Sequence, residues 1–182
     1  LFTSMNGTDW TEGNSGTTST LEGIAFGSNL YVVVGASGLI RTSPDLAIWT
    51  DQTSGTTNTL LDIIFANNQF IAVGDAGTIL TSPDGIDWTI QASGTSNSLH
   101  AVVFGAGQYV AVGAEGTILT SPDGISWSHQ ASNTTVLLRD IAFIDGLFVA
   151  VGESTGSGAH SVIVTSADAV DWTVIDSNTT NP

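Results

Sequence analysis

The chain has no cysteine and no lysine, and only one methionine and four prolines. Without cysteine there can be no disulfide framework, no thiolate metal site and no cysteine nucleophile. The two cationic residues, Arg41 and Arg139, stand against 17 acidic ones, for a net charge of -15. Two scattered arginines cannot neutralise a row of phosphates, so nucleic-acid binding is excluded. Attraction to anionic membrane surfaces fails for the same reason. No apolar run approaches the roughly 20 residues of a membrane helix. Leu1 opens no basic segment followed by an apolar one, so any signal peptide is expected to have been removed or to lie outside this sequence. No window carries a 3.6-residue apolar period, so essentially no helix is expected.

What is present is a repeat. Gly77-Thr78-Ile79-Leu80-Thr81-Ser82-Pro83-Asp84-Gly85-Ile86-Asp87-Trp88 returns almost unchanged from Gly116 to Trp127. A looser copy runs from Gly38 to Trp49, and degenerate copies end at Trp10 and Trp172. All five tryptophans thus share one repeat position, and their spacing is 39 residues until the last interval, which is 45. A fixed period of this length marks a repeat architecture.

Each complete repeat reads as four short strands. The first is Leu21 to Phe26 and its copies, the second Leu30 to Gly35, the third begins near Leu39, and the fourth starts at the tryptophan. Val, Ile and aromatics bounded by Gly and Asn are strand signals. Strands one and two lack polar alternation, as in Phe70-Ile71-Ala72-Val73, so both faces are expected to be buried. Strand four is more polar and belongs at an outer edge. Four-stranded units of about 40 residues with buried inner strands are β-propeller blades.

The 182 residues are expected to form one domain, with a half-blade over 1–20 and blades over 21–59, 60–98, 99–137 and 138–182. The half-blade holds strands three and four only. No segment resembling strands one and two follows Trp172. Either the chain is part of a longer protein, or a tight five-bladed ring closes imperfectly, or another chain donates strands. The six extra residues of the last repeat fall in the Gly/Ser-rich loop around Glu153 to His160, a surface excursion.

The Ser-Pro-Asp-Gly turn has a local logic. Pro83 presets φ, Asp84 can accept backbone N–H groups two and three residues on, and Gly85 takes the positive-φ position. Asp45, Asp84 and Asp123 are therefore turn residues, and Trp49, Trp88 and Trp127 are expected to pack between blades. A calcium cage is not repeated: the position of Asp87 is Ile48 in one copy and Ser126 in another. With three histidines and no cysteine, no metal or cofactor is expected.

This turn resembles the Asp-box of bacterial-neuraminidase-type (BNR) repeats, shorter by one residue before the glycine. The full pattern, Leu-x-x-Ile-x-Phe, Phe-x-Ala-Val-Gly-x-x-Gly-Thr-Ile and Thr-Ser-Pro-Asp-Gly-x-x-Trp, resembles the propellers of the photosystem II assembly and stability factor family. It is also similar to WD40/YVTN/BNR-like repeats. The resemblance implies an all-β propeller, and an assembly chaperone among its functions. Sialidase chemistry, which Asp-boxes bring to mind, needs an arginine cluster and a tyrosine nucleophile with an acidic partner. The only tyrosines, Tyr31 and Tyr109, fill a core slot occupied by Phe70 and Phe148 elsewhere, so no enzyme is expected.

Specificity in a repeat protein sits where the repeats disagree. Entry to strand one reads Glu22-Gly23, Leu61-Asp62, His100-Ala101 and Arg139-Asp140. Glu22, Asp62, His100, Arg139 and Asp140 are the candidate ligand residues, ringing one mouth of the channel. The alternative is a solvated rim with Arg139 paired to an acid. His129 and His160 are expected to be exposed, and Arg41, in the place of Leu80 and Leu119, to snorkel at a blade edge. The expected role is non-catalytic, extracellular or at a surface, binding a protein partner or building an assembly. Glycan binding by the Ser/Thr/Asn loops is the alternative, although no tryptophan is free to serve as a sugar platform. Three Asn-x-Thr sequences, at Asn6, Asn133 and Asn178, would matter only in a secretory context.

Overall fold

The computed structural model describes residues 1–153 and 160–180, with the side chains of 160 and 176–180 excepted. A two-stranded sheet opens the chain, β1 (Phe2–Thr3) with β2 (Thr11–Glu12). Four four-stranded antiparallel sheets follow. They are β3 (Leu21–Gly27), β4 (Leu30–Gly35), β5 (Leu39–Ser43) and β6 (Thr50–Gln52), then β7 (Leu60–Ala66), β8 (Gln69–Gly74), β9 (Ile79–Ser82) and β10 (Thr89–Gln91). The third is β11 (Leu99–Gly105), β12 (Gln108–Gly113), β13 (Ile118–Ser121) and β14 (Ser128–Gln130). The fourth is β15 (Leu137–Ile144), β16 (Leu147–Glu153), β17 (His160–Ser166) and β18 (Thr173–Thr180). The Gly/Ser-rich insertion and the Asn178 sequence fall wholly or partly outside the described residues and side chains.

The turn from strand one to strand two in every four-stranded sheet, and from strand two to strand three in the first three of them, is built on two consecutive residues of positive φ. Asn67 and Asn68 (φ 48° and 60°) join β7 to β8, and Ala76 and Gly77 (φ 53° and 68°) join β8 to β9. Two consecutive left-handed residues give a turn whose twist matches that of the strands. The three-residue 3₁₀ segments that end at Gly38, Gly77 and Gly116 are these same turns, so no true helix is present among the described residues.

The innermost strands β3, β7, β11 and β15 pack side by side around one axis. Three hydrophobic clusters fill the three seams between complete blades. Val32, Val34 and Ile40 meet Leu60, Ile63, Phe70 and Leu80 in the first. Ile71, Val73 and Ile79 meet Leu99, Val102, Tyr109 and Leu119 in the second. Val110, Val112 and Ile118 meet Leu138, Ile141, Phe148 and Val164 in the third. Strand two feeds both neighbouring seams with alternate residues, which is why it carries no polar alternation. Between β15 and β3, or β15 and the half-blade, no comparable packing exists among the described residues.

Candidate functional site

The Asp turn is built five times with the same bonds. Asp84 Oδ1 accepts the amide N–H groups of Ile86 (2.9 Å) and Asp87 (3.0 Å), while Ser82 Oγ accepts Gly85 N–H and donates to Asp84. Asp45 and Asp123 repeat this, Asp168 repeats the carboxylate bonds, and Asn6 accepts the same two N–H groups through its amide oxygen. Because backbone N–H groups converge on the carboxylate, Asp45, Asp84, Asp123 and Asp168 are all held below the ordinary value of 3.8.

A depressed native pKa contributes stability that is present above 3.8 and lost as pH falls through the folded value. Asp62 works in the opposite sense. Its burial, above all, raises its pKa against the pull of two amide N–H groups, so its contribution is lost as pH rises through the folded value. Four turn carboxylates outnumber it. Replacing all four by asparagine, as the chain itself does at Asn6, is expected to lower the urea midpoint at pH 7, because a neutral amide oxygen accepts the same N–H groups without the charge. Its decline between about pH 4 and pH 2 should become shallower. An equally steep decline in the variant would refute the assignment.

The turn also sets the indole. Trp88, Trp127 and Trp172 donate Nε1–H to the carbonyl three residues back, at 2.9–3.0 Å, and their rings lie in the three seams. Trp172 is 4% exposed and Trp10, which has no preceding sheet, 61%. Trp49 is half-buried and its Nε1 has no partner. Its turn carries Leu46 at φ 65° where the repeats have Gly85 and Gly124. Arg41 does not snorkel. It is buried, donates to Asp51 Oδ1 at 2.6 Å, and bonds to the carbonyls of Ser15 and Trp49. The half-blade covers this part of the sheet and cuts the guanidinium off from solvent, so protein acceptors take the place of water.

At the entry to strand one the structure adds what the sequence did not show. Every inner strand carries a β-bulge near its start: Glu22, Leu61, His100 and Arg139 are each skipped in the pairing with strand two. A bulge re-aims the side chain at the point where it interrupts the ladder. These are the positions at which the repeats disagree. Glu22 is exposed, and Arg139 is half-exposed and pairs with Glu153 at 2.7 Å. His100 lies between, held below its ordinary 6.5 by burial and then by the Arg139 charge, against Asp75. Asp75 also accepts a hydrogen bond from Ser98 (3.0 Å). Asp75 and Glu153 were not among the sequence candidates, because their turns are remote from strand one in the repeat.

Asp62 and Asp140, one step further in, each accept the next residue's amide N–H at 2.8 Å. Asp62 also reaches across to Val102 N–H at 2.9 Å, clamping the second blade to the third. With both oxygens occupied, Asp62 is tied to backbone. Among the described residues no three of His, Asp and Glu converge as metal ligands. His129 is exposed on β14 against Gly94 O, and the side chain of His160 lies outside the described set. Tyr109 is fully buried, its hydroxyl donating to Ala66 O and accepting from Gln69.

Radial four-stranded sheets with an Asp turn and a seam indole in each repeat define the chain as a β-propeller of the repeat-blade class. No protein-family model matches it, and no curated protein does. Its fold is similar to that of YCF48 bound to D1 peptide, with TM-score 0.67 and 18% identity over 90% of this chain and 55% of that one. A chain from the nidogen/laminin complex gives 0.64 and 15%, over 87% and 65%. The Bacteroides ovatus xyloglucan-locus protein GH43B gives 0.52 and 15%, over 93% and 43%. The chain thus spans between two fifths and two thirds of these structures, and at such identities the likeness shows the fold alone.

Proposed function

We propose that the chain is a non-catalytic recognition propeller, extracellular or surface-exposed, that binds a protein partner at the bulged rim of its channel. The observation that carries this reading is the coincidence of the bulge with the variable position in all four inner strands. A fold that repeats its core and varies the re-aimed residue of each blade can place specificity there. Glu22, His100 and Arg139, with Asp75 and Glu153 beside them, offer a mixed-charge surface suited to a polar loop. Support comes from two similar propellers whose structures are of a peptide-bound form and of a laminin complex. The tethering of Asp62 and the burial of Tyr109 leave those groups structural rather than catalytic.

Affinity capture with the wild type and with Arg139→Glu/His100→Ala tests it. Both residues are partly exposed, so the variant should fold, and a partner retained by the wild type should be lost by at least about tenfold, or 1.4 kcal/mol. Equal retention by both would refute the rim. A glycan reading has one observation behind it. Shallow polar grooves recur at matching places in the first and third blades, the latter lined by Asn97, Thr117, Ser132 and Asn133. Glycan-array binding abolished by Asn97→Ala, with the rim intact, would select it.

A further inference from the structure

Where the second sheet meets the third, two side chains stand that the fold itself does not require. Asp75 occupies the turn position that Ala36 and Ala114 hold in the sheets on either side. His100 occupies the bulge position that Leu61 holds in the sheet before. β11 is packed by β7 on one side and β15 on the other, so this corner lies between complete sheets. Ser98 Oγ donates to Asp75 Oδ1 at 3.0 Å, and the other carboxylate oxygen makes no bond among the described residues. His100, two residues beyond Ser98, is half-buried, and its ring nitrogens bond no described residue.

We infer, building on the rim as the partner's site, that Asp75 seats a basic side chain of the partner and that protonation of His100 evicts it. Near pH 7 His100 is neutral, kept so by partial burial and then by the Arg139 charge. Asp75 then faces solvent with a negative charge that no neighbouring cation cancels, because Arg139 is paired with Glu153. A lysine or arginine gives its free oxygen a charge-assisted hydrogen bond. The net charge of -15 steers such a group toward the chain and turns an acidic one away. As pH falls through the lowered value of His100, the ring becomes a cation beside Asp75. It takes the guest's place at the carboxylate and repels the guest's own charge.

The other groups around His100 do not reverse this sign. On β7, Asp62 has both oxygens on amide N–H groups. On β15, Arg139 opposes the proton, and Asp140 accepts the amide N–H of Ile141. β8 carries no ionisable residue, and the Tyr109 hydroxyl of β12 is bonded in the seam.

The probe is trilysine, acetylated and amidated, read through the His100 ring signals in NMR. Peptide held elsewhere on an acidic surface leaves those signals unmoved. The peptide should saturate the His100 shift at pH 7.5 and bind at least about fivefold more weakly at about pH 5. By linkage it should also lower the midpoint at which His100 titrates. Arg139→Gln should raise that midpoint in the free protein. Asp75→Ala should abolish the peptide's effect on His100, and an unchanged melting temperature is expected because two other sheets carry alanine there. No saturation at pH 7.5, equal affinity at the two pH values, or an undiminished effect in Asp75→Ala would overturn the inference. None of these readings uses the natural partner, so capture with Arg139→Glu/His100→Ala judges the rim separately.

Discussion

Gly77→Ala is expected to cost about 3–5 kcal/mol, a large share of the total stability of an ordinary domain. Two penalties coincide at this turn. Gly77 sits at φ 68°, where an L side chain costs about 1–2 kcal/mol. A Cβ there would also overlap the carbonyl of Thr95, a backbone atom that cannot swing aside. Gly107 is the control: its φ is 80°, but nothing lies within 4 Å of its missing Cβ. Gly107→Ala should therefore cost only about 1 kcal/mol. Urea unfolding followed by tryptophan fluorescence measures both. Equal costs would show that conformation, and not close approach, explains the glycine.

Phe70→Ala is expected to cost about 3–5 kcal/mol. The ring is fully buried in the first seam, 4.6 Å from Phe65 and 6.2 Å from Trp88 between centroids. In a linear array each blade is held by its neighbours, so the damage should be directional. Hydrogen exchange should accelerate in β3 to β6 more than in β15 to β18. The equivalent change in the first complete sheet, Tyr31→Ala, removes a half-buried ring and should cost roughly 1–2 kcal/mol. Matching costs at the two positions would mean that half-burial of Tyr31 does not lower its share of the packing energy.

Much of this was legible in the residues. The tryptophan spacing fixed the number of sheets, and Ser-Pro-Asp-Gly encoded its own turn because every bond in it is made within four residues of chain. Leu46, Ala169 and Asn6 show the limit of that encoding: the turn survives without its glycine or aspartate because the serine and one side-chain oxygen suffice. Arg41 was misjudged because the sequence gives no sign of which carbonyls approach it. Those belong to Ser15, brought in by the half-blade, and to Trp49 at the entry to β6 of its own sheet.

The rim shows the same division. That Glu22, Leu61, His100 and Arg139 differ was readable by aligning the repeats. That each sits on a bulge was not, since a skipped ladder residue is set by pairing between strands. Asp75 and Glu153 join the rim only because the sheets bring strand two's exit back beside strand one's entry.

The sequence by itself determined the blades, their turns and the identity of the residues in each seam, because these follow from period, apolar pattern and short-range hydrogen bonding. Only the tertiary structure decided which copies of a repeated residue are covered and which side chains meet at the entry to strand one. Exposure of Ile24 against burial of Ile63 is a property of what lies next to the strand, and two identical segments differ in it when only one has a neighbour.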